Sequence, residues 1–246
     1  STGVPLIHCD CKVCKSKNPK NKRLRASVWI QTQGKSLLID TSTDLRQQAL
    51  RAKIPRIDAV LFTHPHADHV AGIDEMRSFN FKQNAAIPVY GNAWTCHDLK
   101  ARFKYIFEPG PVEGGGIPQL VLNPIESDKN TMFFEGVTIQ ILRVQHGSQE
   151  CLGYRIGSVA YVTDCSYIPP HTLEQMKGLS VLVLDCVRLK KHGTHFNVDQ
   201  ALEVISQVRP KKTYLTHMGH DFEYTTWQKK LPRGVALAYD GLKIRA

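Results

Sequence analysis

Apolar and polar positions alternate with two different periods along the first half of the chain. Short runs of alternating or consecutive apolar residues predict β-strands, and longer runs with an apolar residue every three or four positions predict helices. The Gln33-Gly34 pair between two short runs indicates a β-hairpin. In chain order the predicted elements are strands over residues 26–32 and 36–40, a helix over 44–53, strands over 58–63 and 87–91, and a helix over 92–104.

The second half of the chain repeats this pattern. Asn197 and Gln200 have the spacing of a capping box, which predicts that a helix begins directly after Asn197. The predicted elements are strands over residues 137–146, 154–164, 181–187, 214–217 and 235–244, and a helix over 198–208. Strand-rich stretches with interspersed helices in both halves predict one α/β domain over residues 1–246, an αββα sandwich of two mixed sheets flanked by helices.

Residues 108–124 connect the two halves and contain four prolines and four glycines. We expect no regular structure there. A long connection of this kind inside a compact domain is typical of a lid or binding loop, although a variable surface loop has the same composition.

Length and composition fit a soluble protein. A chain of 246 residues with 42% hydrophobic residues can bury one large core. Its longest apolar runs fall well short of the roughly 20 residues that cross a bilayer, and no charged-then-apolar leader opens the chain. We therefore expect no membrane association and a cytoplasmic location.

A basic excess favours anionic substrates or partners, because 32 Lys and Arg stand against 22 Asp and Glu for a net charge of +10. Seven basic residues occur between positions 12 and 25 with no acidic residue among them. A phosphate or nucleic-acid contact and a solvated loop are both open interpretations of this segment. Its members are Lys12, Lys15, Lys17, Lys20, Lys22, Arg23 and Arg25.

Four side chains that bind divalent metals stand within six residues, in the pattern H-x-H-x-D-H. They are His64, His66, Asp68 and His69. Imidazole and carboxylate donors suit zinc and similar ions. His64 and His66 alternate in an extended stretch and can point to one ion, while Asp68 and His69, past a bend, can reach a second.

Three further candidate ligands stand at the ends of predicted strands, where α/β folds place their chemistry. They are His146, Asp164 and His217. A lone histidine is more often an ordinary polar side chain, so position is the argument for each of them.

With these residues the chain resembles the metallo-β-lactamase superfamily over nearly its whole length. The five motifs occur in order as Asp40, residues 64–69, His146, Asp164 and His217. The resemblance implies one ion bound by His64, His66 and His146, a second bound by Asp68, His69 and His217, and Asp164 bridging the two. Asp40 would support the site without binding metal. Two close ions activate water and clamp a phosphoryl or carbonyl oxygen, so hydrolysis is implied while the substrate stays open.

A second candidate metal site begins with Cys9, Cys11 and Cys14, in the pattern C-x-C-x-x-C. Three thiolates lack the fourth ligand of a closed tetrahedral zinc site, and His220 can complete it from a position three residues after His217. A redox or disulfide cluster is the competing interpretation.

This cluster makes the chain similar to the PhnP-type phosphodiesterases, named for the carbon–phosphorus lyase pathway, in which such cysteines and a late histidine hold a structural zinc. Residues 1–5 also resemble the tail of a Gly-rich signature shared with ribonuclease Z, so the numbered chain is expected to begin just inside it. The resemblance implies two catalytic divalent ions, Zn or Mn, one structural Zn, and cleavage of cyclic ribose phosphates or related diesters.

His195 occupies the place where these enzymes carry a further histidine near the scissile phosphate. It is the candidate general acid or oxyanion stabiliser, with His192 as its nearest rival. Asp68 is the second candidate catalytic residue, in addition to its predicted role as a ligand.

The leading functional hypothesis is a phosphodiesterase that uses metal-activated hydroxide on a small, cyclic nucleotide or ribosyl phosphate. A ribonuclease Z-like RNA-processing nuclease is the first alternative, since the same motifs and charge suit RNA. A non-hydrolytic binding protein similar to PqqB is another, although PqqB has a degenerate metal motif and this chain has a complete one. The expected partners are the small phosphodiester substrate, RNA as an alternative, and a second copy of the chain in a homodimer.

Overall fold

The computed structural model describes residues 2–110 and 116–246, which form two compact units. The five-stranded unit comprises residues 26–110, 116–129 and 135–137. The seven-stranded unit comprises residues 2–25, 130–134 and 138–246. The organisation of the chain as a single domain stays a prediction.

The five-stranded unit contains the predicted hairpin and helices. Its elements are β1 (Val28–Thr32), β2 (Lys35–Ile39), α1 (Leu45–Ala52), β3 (Ala59–Leu61), α2 (Ala67–Val70), α3 (Met76–Gln83), β4 (Ile87–Gly91), α4 (Ala93–Arg102), α5 (Lys104–Phe107) and β5 (Leu120–Pro124). The strands follow the order β1-β2-β3-β4-β5, with β1 and β2 antiparallel and every other pair parallel. Because β2, β3 and β4 run in parallel, the residues that follow them emerge at one edge of the sheet.

A hydrophobic core packs the helices of the five-stranded unit against its sheet. Val60 and Phe62 from the region of β3 pack with Leu45, Ile73 and Met76 from the helical segments, and all five are fully buried. Burial of such side chains is the main force that fixes α1 and α3 against the sheet. Residues 64–69, which follow β3, are therefore attached to a well-packed part of the core.

The seven-stranded unit has the order β12-β11-β10-β9-β8-β7-β6. Its elements are β6 (Thr131–Phe134), β7 (Val137–His146), β8 (Gln149–Ile156), β9 (Val159–Val162), α6 (Pro170–Gln175), β10 (Val181–Asp185), α7 (Val198–Val208), β11 (Lys212–Thr216), α8 (Tyr224–Lys230) and β12 (Val235–Leu237), with a 3-10 helix at Pro19–Asn21. The hairpins β7–β8 and β8–β9 are antiparallel, and β9 to β12 are parallel.

The predicted capping box is confirmed at the start of α7. The Asn197 side chain accepts a hydrogen bond from the Gln200 amide at 3.0 Å, and the Gln200 side chain accepts one from the Asn197 amide at 3.2 Å. Two of the amides left without partners in the first helical turn are thereby satisfied, which fixes where the helix begins. The buried strand β10 lies beside this helix in sequence and supplies Leu182 and Leu184 to the same core as Ala201.

Two predicted strands have the wrong bounds. Segment 154–164 is not one strand, because a turn at Gly157 and Ser158 separates β8 from β9. Gly157 has a φ of 57°, a left-handed conformation that glycine adopts without strain. The last strand ends at Leu237 instead of continuing to residue 244.

The prediction that residues 108–124 lack regular structure is wrong at their end, where β5 pairs with β4. β5 is the edge of its sheet, and an edge strand tolerates Pro124 because one side of the strand needs no hydrogen-bond donor. Residues 111–115 of that segment lie outside the described residues. The sequence pattern also misses β6, α6 and α8, which are too short to show a clear period.

Two mixed sheets with helices confirm the predicted α/β class. Within residues 2–110 and 116–246, no helix has both the length and the apolar character that a membrane span requires.

Candidate metal centres

The H-x-H-x-D-H segment leaves the five-stranded sheet after β3 and enters the short helix α2. His64 is fully buried, His66 is exposed, and the His64 Nε2 and His66 Nδ1 atoms are 2.9 Å apart. Two nitrogen ligands of one ion, each about 2.0 Å from it, have this separation when they meet at nearly a right angle. The pair therefore fits a shared divalent cation.

Asp40 is the support of this cluster. It is fully buried with a φ of 62°, and it accepts hydrogen bonds from the Thr63 amide and hydroxyl, each at 2.8 Å, and from His69 Nδ1 at 2.7 Å. Burial raises the pKa of Asp40, and the contacts with His69 and Thr63 oppose that shift. Because Nδ1 of His69 donates to Asp40, Nε2 of His69 keeps the electron pair that a metal ion needs. This Nε2 atom lies 3.4 Å from the Asp68 carboxylate.

In the seven-stranded unit, candidate ligands stand at the end of β7 and just after β9 and β11. His146 ends β7, and its Nδ1 donates to the Thr194 carbonyl at 2.7 Å, which leaves Nε2 as a potential ligand. Burial lowers the pKa of His146, against the opposing charge of Asp164, and so favours the neutral imidazole that binds metal. His146 and Asp164 offer ligand atoms within 4.8 Å of each other.

Asp164 and His217 also form a pair, with Oδ2 of Asp164 3.4 Å from Nε2 of His217. Both residues are buried, and both adopt the left-handed backbone conformation, with φ of 51° and 61°. Non-glycine residues in this region are uncommon and cluster at functional sites. The left-handed turns after β9 and β11 thus direct the side chains of Asp164 and His217 toward each other.

His195 joins the cluster in the seven-stranded unit. Its ring stacks on that of His217 with centroids 5.2 Å apart, its Nε2 lies 3.8 Å from Asp164, and its Nδ1 lies 3.3 Å from Asp185. Burial lowers the pKa of His195, but the hydrogen bond to Asp185 and the charges of Asp185 and Asp164 outweigh it and raise the pKa overall. The pKa of His192 is instead lowered, first by burial and then by Arg188. The surroundings therefore favour the protonated ring at His195 and the neutral ring at His192.

Asp185 is a further member of this cluster that the sequence patterns did not single out. It ends β10 fully buried, and its Oδ2 also accepts the Phe196 amide at 3.1 Å, while Oδ1 lies 3.6 Å from Nδ1 of His217. It hydrogen-bonds His195 and lies close to His217. The signal was present in the sequence, since Asp185 is the one charged residue in the apolar run 181–187.

The cysteine cluster and His220 lie together within the seven-stranded unit. The Sγ atoms of Cys9, Cys11 and Cys14 are 3.2, 3.6 and 3.7 Å from Nδ1 of His220. A tetrahedral zinc about 2.3 Å from sulfur and about 2.0 Å from nitrogen places the two ligands about 3.5 Å apart. All three cysteines are free thiols, so the arrangement fits a zinc site and not a disulfide.

The same thiols differ in acidity. The backbone amide of Cys14 lowers the pKa of Cys11 to about 6, whereas burial raises the pKa of Cys14 to about 11. A cation between the sulfurs favours the thiolate form, so it would offset the cost of ionising the buried Cys14.

Part of the basic segment packs onto the loop that carries His217 and His220. Arg23 is only 6% exposed and donates hydrogen bonds to the carbonyls of Gly219 at 3.2 Å and Phe222 at 2.6 Å. The Lys20 ammonium lies over the Tyr224 and Tyr239 rings at 4.6 and 4.5 Å. These two residues therefore have a structural role that neither interpretation of the segment anticipated.

Comparison with known proteins agrees with this geometry. A protein-family model described as beta-lactamase superfamily domain matches residues 35–218. The crystal structure of a diphosphatase of the PhnP family is 41% identical to this chain, covers 99% of it and 92% of its own chain, and has a TM-score of 0.91. The same two mixed sheets flanked by helices thus recur in a solved PhnP-family structure.

Two curated relatives have a lower sequence identity to this chain than the solved structure has. An octanoyltransferase of Porphyromonas gingivalis is 36% identical over 246 residues, which is 99% of this chain and 49% of that protein. The chain therefore spans about half the length of this relative. A ribonuclease Z of Bradyrhizobium diazoefficiens is 28% identical over 146 residues, covering 58% of this chain and 47% of that protein. From the matched family and the solved structure together, the chain belongs to the metallo-β-lactamase superfamily and, within it, to the PhnP type.

Proposed function

We propose that this protein is a dinuclear metal-dependent phosphodiesterase that hydrolyses a small nucleotide or ribosyl phosphodiester. The observation that carries the proposal is the 41% identity, over 99% of the chain, to a diphosphatase of the PhnP family. The donor clusters in the two units support it, because each offers imidazole nitrogens whose other ring nitrogen is already hydrogen-bonded.

The proposed ligands follow the family pattern. One ion is assigned to His64, His66 and His146, the other to Asp68, His69 and His217, and Asp164 is assigned as the bridge. The within-unit pairs support this assignment, since His64 with His66 and Asp164 with His217 each bring two donors close together. When bound, two such ions supply an activated water and neutralise the charge on the phosphoryl oxygens.

His195 is proposed to assist the leaving group. Against the opposing effect of burial, Asp185 and Asp164 raise the pKa of His195, which favours the protonated ring. Asp185 holds the ring through Nδ1, so Nε2 is directed away from that bond. A departing ribose alkoxide is a strong base and needs that proton. Asp68, 3.4 Å from His69, is proposed to act as a ligand and to help orient the attacking water.

Cys9, Cys11, Cys14 and His220 are proposed to hold a structural zinc. The match between the observed sulfur–nitrogen distances and tetrahedral zinc geometry supports this. Free thiols throughout the chain fit a reducing compartment, so the proposed location is the cytoplasm.

An RNA-processing nuclease is the second candidate. The match to ribonuclease Z and the net charge of +10 favour it. Parallel assays with 2',3'-cyclic nucleotides, linear dinucleotides and a precursor tRNA discriminate the two candidates. Faster turnover of the precursor tRNA than of every small diester would favour the nuclease.

Metal content and turnover of bis(p-nitrophenyl) phosphate test the main proposal. His66→Ala and Asp68→Ala are expected to abolish turnover and reduce bound metal while the far-UV spectrum is kept. His97→Ala is the matched control, since His97 is an exposed histidine on α4 in the same unit. Wild-type protein that holds one zinc and turns over no diester would support a PqqB-like binding protein instead.

A further inference from the structure

A short loop, residues 217–222, carries two proposed ligands, His217 for a catalytic ion and His220 for the structural zinc. We call it the ligand loop. His217 begins it, directly after β11, in the left-handed conformation with a φ of 61°. A non-glycine residue in that conformation is held there by its surroundings. The groups that fix the ligand loop therefore bear on the direction of the His217 side chain.

The guanidinium of Arg23 holds the ligand loop at two points. Its Nη1 donates to the Gly219 carbonyl at 3.2 Å, and its Nη2 donates to the Phe222 carbonyl at 2.6 Å. The Gly219 amide in turn donates to the Val187 carbonyl at 2.8 Å. Gly219, two positions after His217, is thus held through both its amide and its carbonyl.

Arg23 is itself attached to the N-terminal segment that carries the cysteine cluster. Its backbone forms a β-bridge with Val4, through two hydrogen bonds of 2.8 Å each. Val4 packs with Val13 and Cys14 in a small core of this segment. Nη2 of Arg23 also donates to the side-chain oxygen of Asn21 at 3.5 Å. The Arg23 side chain therefore reaches from a fixed backbone position to the ligand loop.

Burial of the Arg23 charge is costly, and its contacts offset part of that cost. Arg23 is 6% exposed, and burial lowers its pKa, while the charges of Asp240 and Glu223 oppose this shift. Hydrogen bonds from a charged donor are stronger than those between neutral groups. A planar guanidinium also presents its donors in a fixed geometry, so it sets the separation of the Gly219 and Phe222 carbonyls, which a lysine nitrogen would not do.

We infer that Arg23 is a positioning residue for His217. By holding the carbonyls of Gly219 and Phe222, it keeps the His217 side chain where its Nε2 lies 3.4 Å from Asp164. The inference rests on the proposed function, in which His217 binds a catalytic ion. Loss of a contact that orients a ligand histidine lowers metal affinity about 10-fold to 100-fold.

Titration with Mn²⁺ of the full chain, holding one equivalent of zinc, tests the inference. Thiolates select zinc and carboxylates suit Mn²⁺, so the titration reports on the histidine and aspartate ligands while the zinc content reports on the cysteine cluster. Arg23→Gln should raise the Kd for Mn²⁺ about 10-fold and keep its one zinc.

Two control variants separate positioning from charge and from stability. Lys17→Gln makes the same change of charge at an exposed position of the N-terminal segment. Val208→Ala removes buried methyl groups at the end of α7, near the start of β11, whereas His217 follows the end of β11. Both variants should keep the Kd for Mn²⁺ within about twofold of wild type, although Val208→Ala should unfold at lower urea concentration.

Normal Mn²⁺ affinity in Arg23→Gln, or an equal loss in Val208→Ala, would overturn the inference. Loss of the zinc from Arg23→Gln would also overturn it, because the effect would then pass through the cysteine cluster. If the wild-type protein binds no Mn²⁺ and no second zinc, the proposed function fails. The hold of Arg23 on the loop is then judged by hydrogen exchange at the Gly219 amide, which should be about 10-fold faster in Arg23→Gln than in Lys17→Gln; equal rates would count against it.

Discussion

The cysteine cluster and His220 make a quantitative prediction about stability, because a zinc ion there would join distant parts of the chain. Cys9 and His220 are 211 positions apart in sequence. A permanent cross-link closing a loop of that length removes chain entropy from the unfolded state worth about 5 kcal/mol at 25 °C. Zinc that stays on the unfolded cysteines reduces this value, so Cys11→Ser should lower the free energy of unfolding by about 3 kcal/mol.

Urea unfolding of zinc-loaded protein measures this loss. Lys12→Ser, at the exposed neighbouring position, is the matched control and should stay within about 0.5 kcal/mol of wild type. The same difference between the cysteine variant and its parent should persist in an Asp68→Ala background, where the cysteine cluster is intact and a proposed catalytic ligand is gone. A Cys11→Ser protein as stable as the Lys12→Ser protein would refute a stabilising zinc site at the cysteine cluster.

Three further substitutions probe the site. Asp40→Asn keeps the size of the side chain but weakens the bond that fixes His69, so metal affinity measured by titration should fall about 10-fold to 100-fold; unchanged affinity would exclude the support role. His195→Gln should lower kcat about 100-fold for a diester with an alkoxide leaving group and much less for bis(p-nitrophenyl) phosphate, whose leaving group needs no proton; equal losses would argue against a general acid. Gly72→Ala places a Cβ against the Ser42 carbonyl beside Asp40 and should cost about 3 kcal/mol in urea unfolding, and a stable variant would show that this backbone can move.

Elements with a strong local signal could be predicted from the sequence. The helix after Asn197 begins and ends as expected because its cap and its apolar spacing agree. The edge strand β5 is half exposed and ends in a proline, so its composition gives no clear strand signal. Its structure is decided by pairing with β4. The β8–β9 turn has Gly157 as its one clear signal between two apolar runs.

The candidate ligands could be found from the sequence because they are chemically distinctive and stand at strand ends. The groups that orient them could not all be found in this way. His146 is held by the Thr194 carbonyl, which any residue at position 194 would provide. Asp185 acts through contacts with His195 and His217, which are 10 and 32 positions away in sequence, and only the folded chain brings them together.

The left-handed backbone at Asp164 and His217 has a consequence for variant-effect maps. At such a φ, asparagine and glycine are tolerated sterically, whereas β-branched side chains clash with their own backbone. In a saturation library, Asp164→Asn should therefore reach normal cellular abundance without activity, and Asp164→Val should lose both. Measuring both abundance and activity for each substitution of Asp164 would separate the steric requirement of the turn from the chemical requirement for a carboxylate.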